Sequence, residues 1–129
     1  MAAHYIEKKI YYHDTDAGGV VYYANYLRHL EEARSEFCLS KGVDIPVYSR
    51  EGVLFPVVRV EIDYKSPARY GDVIRIFTAI EKIGFSSIRF RQEIKKGELT
   101  LVNAMTVLAC VNEAMKPIAM PDRIKKELA

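Results

Sequence analysis

Tryptophan is absent from this 129-residue sequence, cysteine occurs only twice, and 19 Lys and Arg against 17 Asp and Glu leave a net charge of only +2. The near balance of charge argues against a strongly basic nucleic-acid binder, for which a domain pI above about 9 is expected. No apolar run approaches the ~20 residues that span a bilayer, so no membrane span is expected. Met1-Ala2-Ala3-His4 lacks a basic end followed by an apolar stretch, so no signal peptide and a cytoplasmic location are expected. Cys38 and Cys110 lie far apart and in apolar surroundings, which fits a reducing compartment and two small core residues rather than a disulfide or a nucleophile. The histidines His4, His13 and His29 show no H-E-x-x-H or comparable ligand spacing, so neither a metal nor another cofactor is expected.

What is present suffices for one core. Half of the residues are hydrophobic and 28% are charged, and a chain of this length buries roughly two-thirds of its unfolded surface without a staple. A single domain over residues 1–129 is expected. Tyr5 to Tyr12 reads as a strand, and His13 to Gly19 as a turn rich in Asp and Gly. Asn25 to Lys41 carries Tyr26, Leu27, Leu30, Ala33, Phe37 and Cys38 at the spacing of an amphipathic helix, stopped by Gly42. Arg59 to Lys65 alternates strictly as a strand with one buried face. Val73 to Glu81 and Phe85 to Lys95 read as further strands, and Lys96-Gly97 as a hairpin turn. Leu99 to Val111, apolar on both faces, predicts a strand at the sheet centre. Lys116 to Met120 predicts a last short strand, followed by a basic helical turn from Pro121-Asp122. The order implies an α+β fold, one long helix on an antiparallel sheet of about five strands. One helix covers only one face, so a homodimer or homotetramer is expected.

The segment from Tyr11 to Tyr26 places two carboxylates and two glycines just before the helix. A helix start offers unpaired N–H groups and partial positive charge, which polarise a carbonyl and hold an oxyanion. A nearby carboxylate serves as nucleophile or as general base for water. These parts suffice for acyl transfer without serine, cysteine or metal. The same residues also allow a plainer reading, in which Asp14 and Asp16 shape a turn and Asn25 caps the helix.

The run Asp14-Thr15-Asp16-Ala17-Gly18-Gly19-Val20-Val21-Tyr22, followed by Tyr23-Ala24-Asn25-Tyr26, resembles the signature of 4-hydroxybenzoyl-CoA thioesterase-like hotdog proteins, most of all their Tol-Pal-associated bacterial subgroup. The similarity continues through Ala33 to Glu36 and Tyr64 to Asp72. It implies a hotdog fold, a helix wrapped by a curved sheet, with acyl-CoA sites where two subunits join edge to edge. It implies acyl-CoA thioester hydrolysis, with an acyl carrier protein as the alternative thioester carrier and a non-catalytic acyl-CoA-binding or scaffold protein as the rival reading.

By the same resemblance Asp16 is the catalytic carboxylate, and Tyr23 at the helix start supplies the carbonyl-polarising backbone N–H. Gly19, Val20, Val21, Tyr22, Asn25 and Tyr26 are assigned to the substrate site around them. Independently of the resemblance, exposed cations suit the CoA phosphates: Arg89, with Arg91 and Lys95, is one candidate, and Arg69 and Lys65 in the turn between strands are its rivals. Arg89, Arg91 and Lys95 share a strand face that also reads simply as solvated. The nine tyrosines, many beside the motif, suggest an acyl pocket or sheet packing rather than base stacking.

Overall fold

A computed structural model describes residues 3–129; Met1 and Ala2, part of the segment read for a signal peptide, lie outside them. The elements are β1 (His4–Lys9), α1 (Asn25–Ser40), α2 (Ile45–Arg50), β2 (Val57–Tyr64), β3 (Val73–Ile83), β4 (Ser87–Lys96), β5 (Leu99–Ala109) and α3 (Asp122–Leu128). The strands form one antiparallel sheet in the order β1-β3-β4-β5-β2. This is the expected α+β arrangement, with one long helix packed on five strands.

Alternation decides which face α1 covers. Along β4, Ile88, Phe90, Gln92 and Ile94 are buried, while Arg89 and Arg91 between them are exposed. The inward residues and α1 build two adjoining clusters. Tyr26, Leu30 and Ala33 pack with Ile10, Ile74, Ile76, Ile94 and Val102 at the helix start. Phe37 and Cys38 pack with Ile88, Phe90, Leu108, Met120 and Ile124 towards its end. Arg34, between the clusters, is buried with them. Both cysteines are buried and unbridged, and burial pushes the Cys38 thiol up to about 11, which suits packing rather than nucleophilic chemistry. No helix among the described residues is long and apolar enough to cross a membrane.

Several details differ from the sequence expectation. The first strand ends at Lys9, because Tyr12–Asp14 winds into a short 3-10 turn. The segment Ile45–Arg50 is a helix that the periodicity did not signal; at six residues it is too short to show one, although Pro46 sits in its first turn. The strand Leu99–Ala109 is not central: it lies between β4 and β2, and β4 is in the middle. On its outer face Met105 is nevertheless 5% exposed, flanked in register by Arg91 and Glu61, while Asn103, Val107 and Ala109 beside it are half-buried. The segment Lys116 to Met120 is not a strand. Pro117 lacks the N–H that a ladder needs, and the segment makes isolated bonds instead, Ile118 N–H to Cys110 O at 3.0 Å and Met120 N–H to Phe85 O.

The buried face expected of the Arg59 to Lys65 strand is absent: every residue of β2 is exposed except the half-buried Ile62, because β2 pairs on one side only and lies at the sheet edge. The far edge of β2 is open among the described residues, and Val57, Val58, Val60 and Tyr64 are exposed there. An open, apolar edge is a template for pairing with another chain.

Candidate active site

The chain between β1 and α1 is tied to the sheet at both ends. Ile10 N–H donates to Asp72 O at 2.8 Å, and Val21 N–H donates to Ala68 O at 2.8 Å. Between these anchors the motif closes on itself. Asp16 N–H donates to Val20 O at 2.9 Å, and Gly19 N–H donates back to Asp16 O at 3.0 Å. Gly19 has φ +78°, the left-handed conformation that favours glycine. Gly18 N–H donates to Asp16 Oδ1 at 2.8 Å, and a Cβ on Gly18 would stand 3.2 Å from that same oxygen. The second glycine-favouring position thus protects the aim of a carboxylate, not a backbone angle.

The Asp16 side chain is exposed, and its other oxygen accepts no bond from the described residues. Tyr23 lies two residues before α1, and its N–H donates to no protein acceptor among the described residues. Asn25 N–H by contrast is used, donating to Tyr22 O at 2.8 Å. A free amide at the positive end of a 16-residue helix, three residues beyond the Asp16–Val20 loop that carries a free carboxylate, can polarise a carbonyl beside a base.

Asn25 does not cap the helix. Ala24 occupies that position, already helical at φ −71° and ψ −23°, and Asn25 Nδ2 reaches back to donate to Asp14 O at 2.9 Å. Asp14 is the most connected residue of the loop. Its carbonyl also accepts Tyr22 N–H at 3.1 Å; its Oδ2 accepts Tyr11 N–H at 2.9 Å and its Oδ1 accepts Arg28 Nη2 at 3.0 Å. Burial pushes the Asp14 carboxyl up, but the Tyr11 N–H and the positive charge that His29, His13 and Arg28 bring outweigh it and hold the group below the usual carboxylate value.

His29 lies beneath Asp14, 2% exposed, with neither ring nitrogen hydrogen-bonded. Its Nε2 stands 3.5 Å from Asp14 Oδ1 and its Nδ1 3.5 Å from Glu32 Oε1. Burial pushes the imidazole below its ordinary value; Asp14 and Glu32 oppose this, while Lys8 and Arg28 add to it. The unfolded chain therefore takes up this proton first as pH falls through about 6.5, so folding stability decreases below that pH. Thermal unfolding from pH 7.5 to 5 at fixed protein concentration should show Tm falling on the acid side. His29→Phe, which keeps the buried ring, should flatten that slope; an unchanged slope would show that other groups set it.

The structure brings most of the expected site together. Val20 bridges to Arg69, and the buried Val21 bridges to Thr15. Tyr26 is buried, with its Oη accepting Ala68 N–H at 3.0 Å, so it braces the neighbouring turn from within. Tyr22 and Tyr23 are exposed with ring centroids 4.8 Å apart. Arg69 is exposed beside the loop, whereas Arg89 lies beside the second core cluster, on the outer face, 3.8 Å from Glu81. Arg91 also pairs with Glu81, at 2.8 Å, and Lys95 lies 3.8 Å from Glu93, so that basic face is mixed rather than purely cationic. Tyr64, which sequence reasoning did not assign, lies against Tyr23 and Tyr26: its Oη donates to Tyr23 O at 3.1 Å, and its ring lies 5.6 Å from that of Tyr26. The alternation of β2, which puts Tyr64 on the same face as Ile62, was the available signal. Arg28 and His29 were also missed, since their link to Asp14 depends on how the loop folds over α1.

The family model of the thioesterase-like superfamily matches residues 11–128. The chain is similar to acyl-CoA thioester hydrolase YbgC of Escherichia coli O157:H7, 40% identical over 121 residues, which cover 92% of this chain and 90% of that protein. It is similar also to acyl-CoA thioesterase YbgC of Haemophilus influenzae, 36% identical over 119 residues, covering 91% and 88%. The crystal structure of DHNA-CoA thioesterase from Staphylococcus aureus superposes with a TM-score of 0.88 at 25% identity, over 95% of this chain and 88% of that one.

Proposed function

The chain belongs to the thioesterase-like superfamily and is an acyl-CoA thioester hydrolase, and we propose that Asp16 and the Tyr23 N–H carry the reaction. The observation that supports this is the free Tyr23 amide at the positive end of α1, three residues beyond the closed loop that carries the exposed Asp16 carboxylate. The thioester carbonyl oxygen accepts from Tyr23 N–H. Either Asp16 attacks the carbonyl carbon, giving an anhydride that water then opens, or it takes a proton from the attacking water. In both routes the carbonyl π electrons move onto oxygen and return as the C–S bond breaks, and the leaving thiolate takes up a proton that comes from the attacking water. The products are a carboxylic acid and the thiol of CoA. The helix start stabilises the oxyanion, and losing one such donor typically costs ~3 kcal/mol in the barrier.

Exposed Arg69 beside Val20 is the better placed of the two arginines for the CoA phosphates; Arg89 is engaged by Glu81. The open edge of β2 and its exposed valines favour a second copy pairing there, covering Tyr64 and the Tyr23 loop beside it. Two buried, unbridged thiols fit a reducing cytoplasm. The test is thiol release from a panel of short, long and aromatic acyl-CoAs, compared with acyl carrier protein at matched acyl chain, with sedimentation on the same sample. Turnover of CoA esters by a dimer or larger is expected. Turnover of carrier-protein esters alone reassigns the carrier, and full activity in a 14.8 kDa monomer overturns the shared site.

A further inference from the structure

The loop that bears Asp16 needs something to fix it against the helix that bears the oxyanion donor. The closure bonds of Asp16, to Val20, Gly19 and Gly18, all lie within the loop itself and do not reach α1. The residue that does reach across is Asp14. Its side chain holds the chain before the loop through Tyr11 N–H at 2.9 Å, and α1 through Arg28 Nη2 at 3.0 Å. Its carbonyl holds the end of the loop through Tyr22 N–H at 3.1 Å, and the first turn of α1 through Asn25 Nδ2 at 2.9 Å. Tyr23 follows directly on Tyr22, so the amide donor inherits its place from that carbonyl.

We propose that Asp14, clamped by Arg28, is a positioning residue for the reaction, setting the Asp16 turn against the Tyr23 N–H without touching substrate. Asp14 is 2% exposed, which keeps it from contacting an acyl-CoA. The groups facing it are Arg28 and His29 from α1 and His13 from its own turn, whose Nε2 is 3.7 Å away. Glu32 and Lys8 lie one step further and pair with each other at 2.8 Å. Arg28 is thus the direct, half-exposed cation on this carboxylate, and it is not spent on another acid among the described residues. Small displacements of a reacting group, of about 1 Å, cost on the order of 100-fold in rate, so a clamp of this kind acts on turnover rather than on substrate affinity.

The inference rests on the Asp16–Tyr23 reading, and the experiment separates the two. Steady-state kinetics on one acyl-CoA would be run for Asp14→Asn, Arg28→Met, their double variant and Asp16→Asn, each checked for fold by circular dichroism and sedimentation. Asp14→Asn keeps an acceptor for Tyr11 N–H but loses the charge held by Arg28; kcat should fall roughly 10-fold with KM within about twofold. Arg28→Met, a surface change that keeps the aliphatic stem, should lower kcat about fivefold, again without raising KM. The double variant should be no slower than Asp14→Asn, because both changes remove one interaction. Unchanged kcat in folded Arg28→Met, a rise in KM instead, or fully additive losses would each overturn the clamp. If Asp14→Asn fails to fold, Arg28→Met decides alone. Full activity in Asp16→Asn would instead sink the catalytic reading itself.

Discussion

Replacing Asp16 by Asn should lower kcat by about 1,000-fold while leaving the protein folded. General base and nucleophilic roles are worth roughly 100- to 10,000-fold, and a 1,000-fold loss corresponds to about 4 kcal/mol in the barrier. Asn is the informative substitute because Asp16 Oδ1 accepts Gly18 N–H at 2.8 Å and an amide oxygen can accept the same bond. The exposed second oxygen, which would take the proton or attack the carbonyl, is what the change removes. Asp16→Ala would also free the Gly18 amide, so a larger loss there would mix catalysis with loop geometry. Thiol release under saturating acyl-CoA gives kcat, and a Tm within a few degrees of the parent certifies the fold. A folded Asp16→Asn protein turning over at the parental rate would reduce Asp16 to a turn residue. A Gly18→Ala protein offers an independent check on the aim of the carboxylate, since its Cβ would stand 3.2 Å from Oδ1.

Period and punctuation carried much of the architecture. The three-and-four spacing of Tyr26, Leu30, Ala33 and Phe37 located α1 to within a residue of its end, and strict alternation located β2 and β4, although only β4 has the buried face that alternation implies. Where pattern was short or doubly apolar it misled. Two apolar faces on Leu99–Ala109 suggested the centre of the sheet, but burial on the outer face depends on long neighbours such as Arg91, and not on rank in the sheet. At the site, the pair Asp14 and Asp16 was visible as two similar carboxylates in one turn. Only the fold separates them, one exposed on a glycine turn and one buried against α1. Nothing in residue spacing announces that Arg28, fourteen positions on, is the cation Asp14 meets. Arg89 illustrates the reverse case, a cation chosen on strand alternation alone, which correctly gives its face but says nothing of its distance along the strand from the loop.

The same limit applies to the cation buried between the two apolar clusters, where the expected effect on stability is large. Arg34 lies between the two apolar clusters, 9% exposed, with no carboxylate within ion-pairing distance among the described residues. Its Nη1 donates to Gln92 Oε1 at 3.1 Å and to Thr106 Oγ1 at 3.5 Å. Gln92 in turn donates through Nε2 to Leu30 O at 2.9 Å and to Thr78 Oγ1 at 3.0 Å. One side chain on the central strand therefore binds the helix twice, through a backbone carbonyl and through a buried cation. Gln92→Leu keeps the volume and removes the three bonds that Gln92 makes, leaving Arg34 only Thr106 Oγ1. It leaves the guanidinium short of its better acceptor, and breaking one partner of a buried charged hydrogen bond costs about 3 kcal/mol. For a chain of this length that corresponds to a fall in Tm of roughly 10 °C. Removing the charge as well should reverse most of the loss, because replacing a buried polar set by apolar groups of similar shape is close to neutral. Arg34→Met with Gln92→Leu should thus be more stable than Gln92→Leu alone, a sign that simple loss of packing does not produce. Urea or thermal unfolding at matched protein concentration reads both variants, since association would otherwise shift the midpoint. A loss below about 1 kcal/mol in Gln92→Leu, or a double variant worse than the single, would mean that the apolar clusters alone hold α1 in its register on β4.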